Sequence, residues 1–526
     1  MAATDYIIVG AGSAGCVLAN RLSEDPSVRV TLIEAGGRDR SPNIKIPAAF
    51  PNQFHTKLDW DYLTEAEPGC HGRRLYIPRG KSLGGSSSMN AMLYVRGRPL
   101  DYDLWAKAGA EGWGWDDVLP YFLRCEDNSR GASEFHAAGG PMRVSDQRSP
   151  RGYDATILDA CQAAGIPYTA DYNGPEQDGV SMFQVTQRDG RRWSAADAYL
   201  RPAMDRGNLE VLTRATVLGL AFQGSRVTGV RLGGRRGRTL RAEREVILCA
   251  GAINSPQLLM LSGIGRPDEL RGLGIESRHE LAGVGRNLQD HPFLTMLWEL
   301  SGGDTMFGAD KPQHLLEWAL RRTGKLSSPV AEVVAFVRTR SGLPAPDIQF
   351  HMGALYFEDH GASEHDAPAL TIAPTLVAPA ARGEVTLRSS DPSAKPKILT
   401  NSLTEPEDVA SMLAGMELAR EIAAQEPMRA TITRELKPGP GVSGHELEAA
   451  LRDRVELIYH PVGTCRMGSD DEAVVDPELR VRGLEGLRVV DASVMPVIPG
   501  GNTNAPVMMV AERAADLIRG RVPATA

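Results

Sequence analysis

At 526 residues the chain is longer than one hydrophobic core holds, and two or three structural units are expected. Hydrophobic residues at 42% and charged residues at 24% exclude a disordered chain and a fibre. With 58 basic against 66 acidic side chains the net charge is −8, so no nucleic-acid partner is expected.

The start, Met-Ala-Ala-Thr-Asp, has no basic segment and reads as no signal peptide. Tyr6-Ile7-Ile8-Val9 is a short continuous apolar run of the buried parallel-strand kind. It leads into Gly10-Ala11-Gly12-Ser13-Ala14-Gly15, then Val17, Leu18 and Leu22 at helical spacing, then a second apolar run, Val28 to Ile33, ending at Glu34. Gly10 permits the tight turn, Gly12 lets the backbone approach a pyrophosphate, and Gly15 lets helix and strand pack closely. The helix N-terminus offers N–H groups to phosphates, and Glu34 accepts from ribose hydroxyls. Strand, turn, helix, strand and acid together point to a dinucleotide. An acid at this place disfavours NADP and leaves NAD and FAD open.

A loop-rich stretch from Glu34 to Gly97 contains Arg79-Gly80-Lys81-Ser82-Leu83-Gly84-Gly85-Ser86-Ser87-Ser88-Met89-Asn90. Consecutive small residues let a backbone lie against a flat ring and present N–H groups to it. The lysine precedes the glycine pair, so this is no Walker A loop. Val211 to Ala221 and Val227 to Leu232 read as strands. Glu245 to Ala252 is a further buried strand ending in glycine, followed by a helix from about Ser255. Ile348 to Met352, Leu370 to Val377 and Glu384 to Arg388 read as strands of a separate sheet. Helices are expected over Glu405 to Gln425 and His445 to Leu457. Leu487 to Val490 reads as a strand, and Pro506 to Ile518 as the last helix. Ser301 to Pro312 and His360 to Pro368 are candidate lids. This order predicts a mixed α/β fold: a discontinuous Rossmann-type domain over 1–150, 200–296 and 458–526, with an antiparallel-sheet substrate domain inserted as 151–199 and 297–457.

Tyr459-His460-Pro461 is the leading catalytic candidate, because a residue before proline is held extended and an imidazole titrates near neutral pH. Gly500-Gly501-Asn502-Thr503-Asn504-Ala505-Pro506 runs into a helix and places Asn504 at or just before its cap. The six cysteines lack metal or disulfide spacing; no metal is expected. No apolar run is long enough for a membrane span, and a cytoplasmic protein is expected, with loose association with a membrane surface left open. An oligomer is left open too.

These motifs, with Gly251 to Gly265 and Gly283-Val284-Gly285-Arg286-Asn287-Leu288-Gln289-Asp290-His291, resemble the glucose–methanol–choline (GMC) family of flavin oxidoreductases along nearly the whole chain, most closely its choline dehydrogenase and alcohol dehydrogenase branch. The resemblance implies FAD rather than NAD. It implies that His460 acts as base on the substrate hydroxyl beside flavin N5, with Asn504 as its partner. It implies flavin-nucleotide contacts from Gly10, Gly12, Ser13, Ala14, Gly15, Glu34, Ala35, Trp60, Arg79, Leu83, Gly84, Ser87, Asn90, Ala91, Met92, Leu93, Ala250, Asp491, Ala492, Asn502 and Thr503, and Val217 at the adenine. Some members attach FAD through a histidine after the double glycine; Met89 stands there, which implies non-covalent FAD. The implied reaction is oxidation of a primary alcohol to an aldehyde, with oxygen or a quinone-type acceptor taking the electrons. Tyr459 and Glu332 match positions that hold the trimethylammonium group in choline-acting relatives. An aromatic content of 6% argues against a full cage, so an aliphatic or aryl alcohol is preferred to choline. The alternatives are choline oxidation, a hydroxynitrile-lyase-like use of the scaffold and, less favoured, an NAD enzyme.

Overall fold

The computed structural model describes residues 4–234 and 237–521; Met1–Ala3, part of the start read as free of a signal peptide, lie outside them. The first sheet has seven strands. Leu209–Thr213, Val30–Glu34, Thr4–Val9 and Arg238–Leu248 run parallel, and Leu487–Val489 adds to the far side of Arg238–Leu248. Arg226–Leu232 and Val217–Gln223 continue the sheet antiparallel. The long strand serves both patterns. Its inner end, Val246-Ile247-Leu248, is fully buried between parallel neighbours, and the rest is largely solvated, its outer part pairing as a hairpin. Helices Ser13–Leu22 and Asn504–Arg519 pack against each other.

The close packing explains two of the glycines. A Cβ on Gly15 would sit 1.9 Å from the Gly10 carbonyl oxygen. Gly10 itself has φ +103°, and a Cβ there would lie 2.5 Å from the Cys249 carbonyl.

The second sheet has eight mostly antiparallel strands, in the order Ile432–Lys437, Met296–Leu300, Ala369–Leu376, Ile348–Gly353, Val333–Val337, Gly179–Met182, with Pro292–Phe293 and Glu456–Leu457 attached at one end. Helix Pro406–Ala423 packs on it.

Three expected elements differ. Val211 to Ala221 is two strands, because the chain turns at Arg214 (φ +56°), where Arg214 N–H and Ala215 N–H donate to Gly36 and Glu34 carbonyls. Glu384–Thr386 leaves the second sheet and pairs only with Lys397–Leu399. The helix expected over His445 to Leu457 ends at Arg454, since Glu456–Leu457 is drawn into pairing with Pro292–Phe293. All six cysteines are buried and free. Among the described residues no helix is long and apolar enough to cross a membrane.

Candidate active site

A long cavity runs between the two sheets. At one end it is lined by Gly10, Gly12, Ser13, Ala14, Glu34 and Ala35, with Val217 and Ala250 nearby. Helix Ser13–Leu22 begins here with Gly12 as its cap and no side chain on its first N–H groups, a ready anion site. Glu34 Oε2 accepts from Ala11 N–H at 2.9 Å and Oε1 from Gly36 N–H at 2.7 Å. Burial raises this carboxyl to about 7 against the pull of those donors and of Lys81.

The cavity is also lined by Trp60, Arg79, Asn90, Ala91, Met92 and Leu93 and by Asp491, Ala492 and Thr503. Lys81 Nζ lies 4.2 Å over the Trp60 ring. Asp491 Oδ2 accepts from Ser255 Oγ at 2.6 Å and Gly251 N–H at 2.8 Å, which ties the strand-end turns together.

Four residues expected at the cofactor do not line the cavity. Gly15 lies behind the turn, against the Gly10 carbonyl. Leu83 is buried in the first core, Gly84 N–H donates to the Ala11 carbonyl at 2.7 Å, and Ser87 Oγ donates to the Gly84 carbonyl at 2.6 Å while accepting from Ala195 N–H. The small-residue run coils tightly over Gly85–Ser88, so only part of it faces the cavity and the rest buttresses the glycine turn.

His460 lines the same cavity. Its N–H donates to Asp290 Oδ1 at 2.7 Å. The preceding Tyr459 has φ +70°, and its carbonyl accepts from Arg79 Nη2. His460 Nδ1 lies 3.0 Å from Nδ1 of the fully buried His291, the two rings nearly perpendicular at 5.2 Å. His460 Nε2 lies 3.2 Å from Asn502 Nδ2, and Asn502 Oδ1 accepts from Gln349 Nε2 at 3.2 Å. With Nδ2 assigned as the donor, Nε2 is the acceptor and the ring proton sits on Nδ1, shared with His291, an assignment consistent with Asn502 Oδ1 accepting from Gln349. Burial, then His291, His351 and Arg79, hold the His460 pKa well below its ordinary value. Burial holds His291 down to about 3, and raises Asp290 to about 7. The site therefore presents a neutral imidazole with a lone pair directed at a small amide donor.

Two expected placements are corrected. The side chain paired with His460 is Asn502, not Asn504. The last helix starts at Asn504, whose Oδ1 accepts from Ser13 Oγ at 2.7 Å and so joins two helix N-termini at the nucleotide side. Asn502 lies two residues earlier, outside the helix after Gly501 (φ +151°), and reaches the imidazole. Glu332 is absent from the cavity wall although Val330 and Ala331 line it. It is fully buried, ion-paired to Arg151, and accepts from Ser328 Oγ at 2.9 Å. The acids lining the cavity are Glu34 and Asp491, neither near His460 in its hydrogen-bond network.

Tyr459 does line the cavity, and its hydroxyl pairs with His360 Nδ1. Phe54 meets Tyr459 at 5.8 Å and Phe50 at 5.9 Å, and Leu355, Phe357 and Val330 extend the apolar wall. Rings scarce in the composition are thus gathered here from distant segments. Sequence reasoning missed His291 and Asp290 as neighbours of His460, and Gln349 as the neighbour of Asn502, although the Gly283 to His291 stretch belongs to the family motifs.

The chain matches the GMC oxidoreductase family over residues 4–293 and again over 379–511. It is 43% identical over 529 residues to an alcohol dehydrogenase [acceptor] of Pseudomonas putida, covering 98% of this chain and 96% of that one. It is 44% identical to the mitochondrial choline dehydrogenase of Homo sapiens, covering 98% of this chain and 90% of that one. Formate oxidase of Aspergillus oryzae, solved in a study of FAD modification, superposes with a TM-score of 0.92 at 29% identity, over 99% of this chain and 98% of that one. By length of match, motif order and fold, the chain is an oxidoreductase that belongs to the GMC family.

Proposed function

We propose that this chain binds FAD non-covalently along the cavity and oxidises a neutral primary alcohol to its aldehyde, with His460 as general base. The observation that carries the reading is the His460–Asn502 pair in a cavity that also offers a bare helix N-terminus and Glu34. The residues fit the cofactor. Gly12, Ser13 and Ala14 would receive the pyrophosphate, Glu34 the ribose, Val217 the adenine side, and Asn90 to Leu93 with Ala492 and Thr503 the ring system. Met89 stands where attachment in other members needs a histidine. When bound, the flavin supplies the hydride acceptor.

The protein's part is positional and acid–base. An alcohol oxygen placed between His460 Nε2 and Asn502 Nδ2 would give its proton to the first and accept from the second. A base of this kind contributes about 10²–10⁴-fold. The Nδ1 contact with His291 keeps the lone pair on Nε2, and the Asp290 and Arg79 contacts fix the backbone beneath it. Phe54, Phe357, Leu355 and Val330 suit an aliphatic or aryl group, and burial of Glu332 against Arg151 leaves a choline ammonium without a counter-charge.

The test is an alcohol panel under anaerobic conditions, reading bleaching of the yellow flavin. An aryl or medium-chain alcohol should bleach it faster than choline, and His460→Ala should stay yellow and lose the reaction. A protein that isolates without flavin, or a His460→Ala variant reduced at the wild-type rate, refutes the reading. The same panel run with a dye acceptor and for peroxide assigns the electron acceptor.

A further inference from the structure

We propose that the outward face of helix Pro312–Arg321 docks this protein on an anionic lipid bilayer. The helix is amphipathic with its stripes reversed. Leu315, Leu316 and Leu320, on one side of the helix with Ala319, are 50%, 59% and 75% exposed, whereas Trp318 points inward and donates from Nε1 to the Gly190 carbonyl at 2.8 Å. Phe307, 46% exposed, lies just ahead of the helix. Four of the six exposed large hydrophobics among the described residues thus fall within fourteen positions of one another, from 307 to 320. A helix belonging only to a soluble core turns its apolar stripe inward, and a cluster of this kind turned outward marks an interaction surface.

The choice of occupant rests on charge and size. Lys311 precedes the helix and Arg321 and Arg322 close it, Arg322 stacked 4.0 Å over Trp318. Lys325 follows, half-buried with Nζ donating to the Phe307 carbonyl at 2.7 Å, and Arg188 and Arg191 stand exposed on the hairpin that carries Gly190. Asp189, Asp304, Asp310 and Glu317 are the acids of the same region, and Glu317 is engaged by the Thr323 hydroxyl and lies beside His314. Cations outnumber acids here, the reverse of the whole chain's 58 to 66. A stable dimer buries about 800 Å² on each partner, more than one ten-residue helix face provides. A helix lying in a bilayer interface needs only an apolar stripe sunk about 5–10 Å with basic residues at its edge. The helix is also coupled to the cavity. It leads into the turn Lys325–Ser327, which packs on Pro47–Gln53 and so beside Phe50, and then into Pro329, Val330 and Ala331 of the cavity wall.

The experiment is vesicle flotation with the flavin-loaded protein, using phosphatidylcholine alone and phosphatidylcholine with about a third phosphatidylglycerol. Binding to the anionic vesicles, weakened by salt, is expected. Leu316→Glu/Leu320→Glu should lower it by about tenfold or more with flavin reduction by a water-soluble alcohol unchanged. Leu316→Ser/Leu320→Ser provides the same reading should the acidic pair fail to fold. Wild-type protein that binds neither vesicle overturns the proposal. So does a dimer, seen by light scattering, that these substitutions split while no vesicle binding is found; that result assigns the face to a second copy of the chain.

Discussion

Asn502→Ala should slow alcohol-dependent flavin reduction about 10²-fold. The substitution removes the one amide donor, 3.2 Å from His460 Nε2, that is placed to hold the reacting oxygen, and it strands Gln349 Nε2 without its acceptor. Loss of a single preorganised donor to developing negative charge costs about 10²–10³ in rate, or about 2.7–4 kcal/mol. The low end applies because the contact is long and the donor neutral. Asn504→Ala is the control. It removes a 2.7 Å bond from Ser13 at the nucleotide side, worth about 1 kcal/mol net, and should loosen the cofactor rather than slow the reaction. Anaerobic stopped-flow at saturating alcohol gives the limiting rate, and flavin release on dilution gives the affinity. A rate for Asn502→Ala within about threefold of wild type, with a hundredfold loss in Asn504→Ala, would overturn the assignment of the pair.

Because burial and the neighbouring histidines depress His460, its imidazole stays neutral below the usual pH 6.5; kcat/KM for the alcohol should hold its plateau into mildly acidic buffer, and an acid limb centred above pH 7 contradicts this. His136 behaves oppositely: burial opposes its charge, but hydrogen bonds to Asp171 and Glu126 outweigh that and raise it to about 9. Its contribution to stability is complete below about pH 6.5 and is lost as pH rises through about 9; His136→Gln should flatten the fall of Tm over that window. Glu332→Gln should destabilise the fold by about 3 kcal/mol, the low end for a broken buried pair, since Asp154, raised by burial and by Glu332 itself, can ionise beside Arg151 instead. The KM for the alcohol should stay within about twofold, and a large KM rise specific to choline would return Glu332 to the substrate.

The sequence carried the parallel strands of the first sheet plainly, because buried parallel strands are continuous apolar runs and Gly10 and Gly15 stand where close packing leaves no room for a side chain. His460 was legible from its proline neighbour and setting. Its partner was not. Asn502 and Asn504 differ only in which side of a helix start they occupy, and the helix begins two residues ahead of Pro506. Glu332 was misplaced for a related reason. Val330 has φ +79°, and the chain turns there so that Val330 and Ala331 face the cavity and the next side chain faces Arg151. His291 meets His460 across 169 positions, and Phe54 meets Tyr459 across 405; no local spacing encodes such encounters.

The cavity has two owners. Gly10, Glu34 and Val217 come from the sheet that would keep the cofactor, whereas Phe293, His351 to Gly353, Thr371 and Ala373 come from the other sheet. Side chains on the second sheet can therefore change while the part of the wall supplied by the first stays as it is.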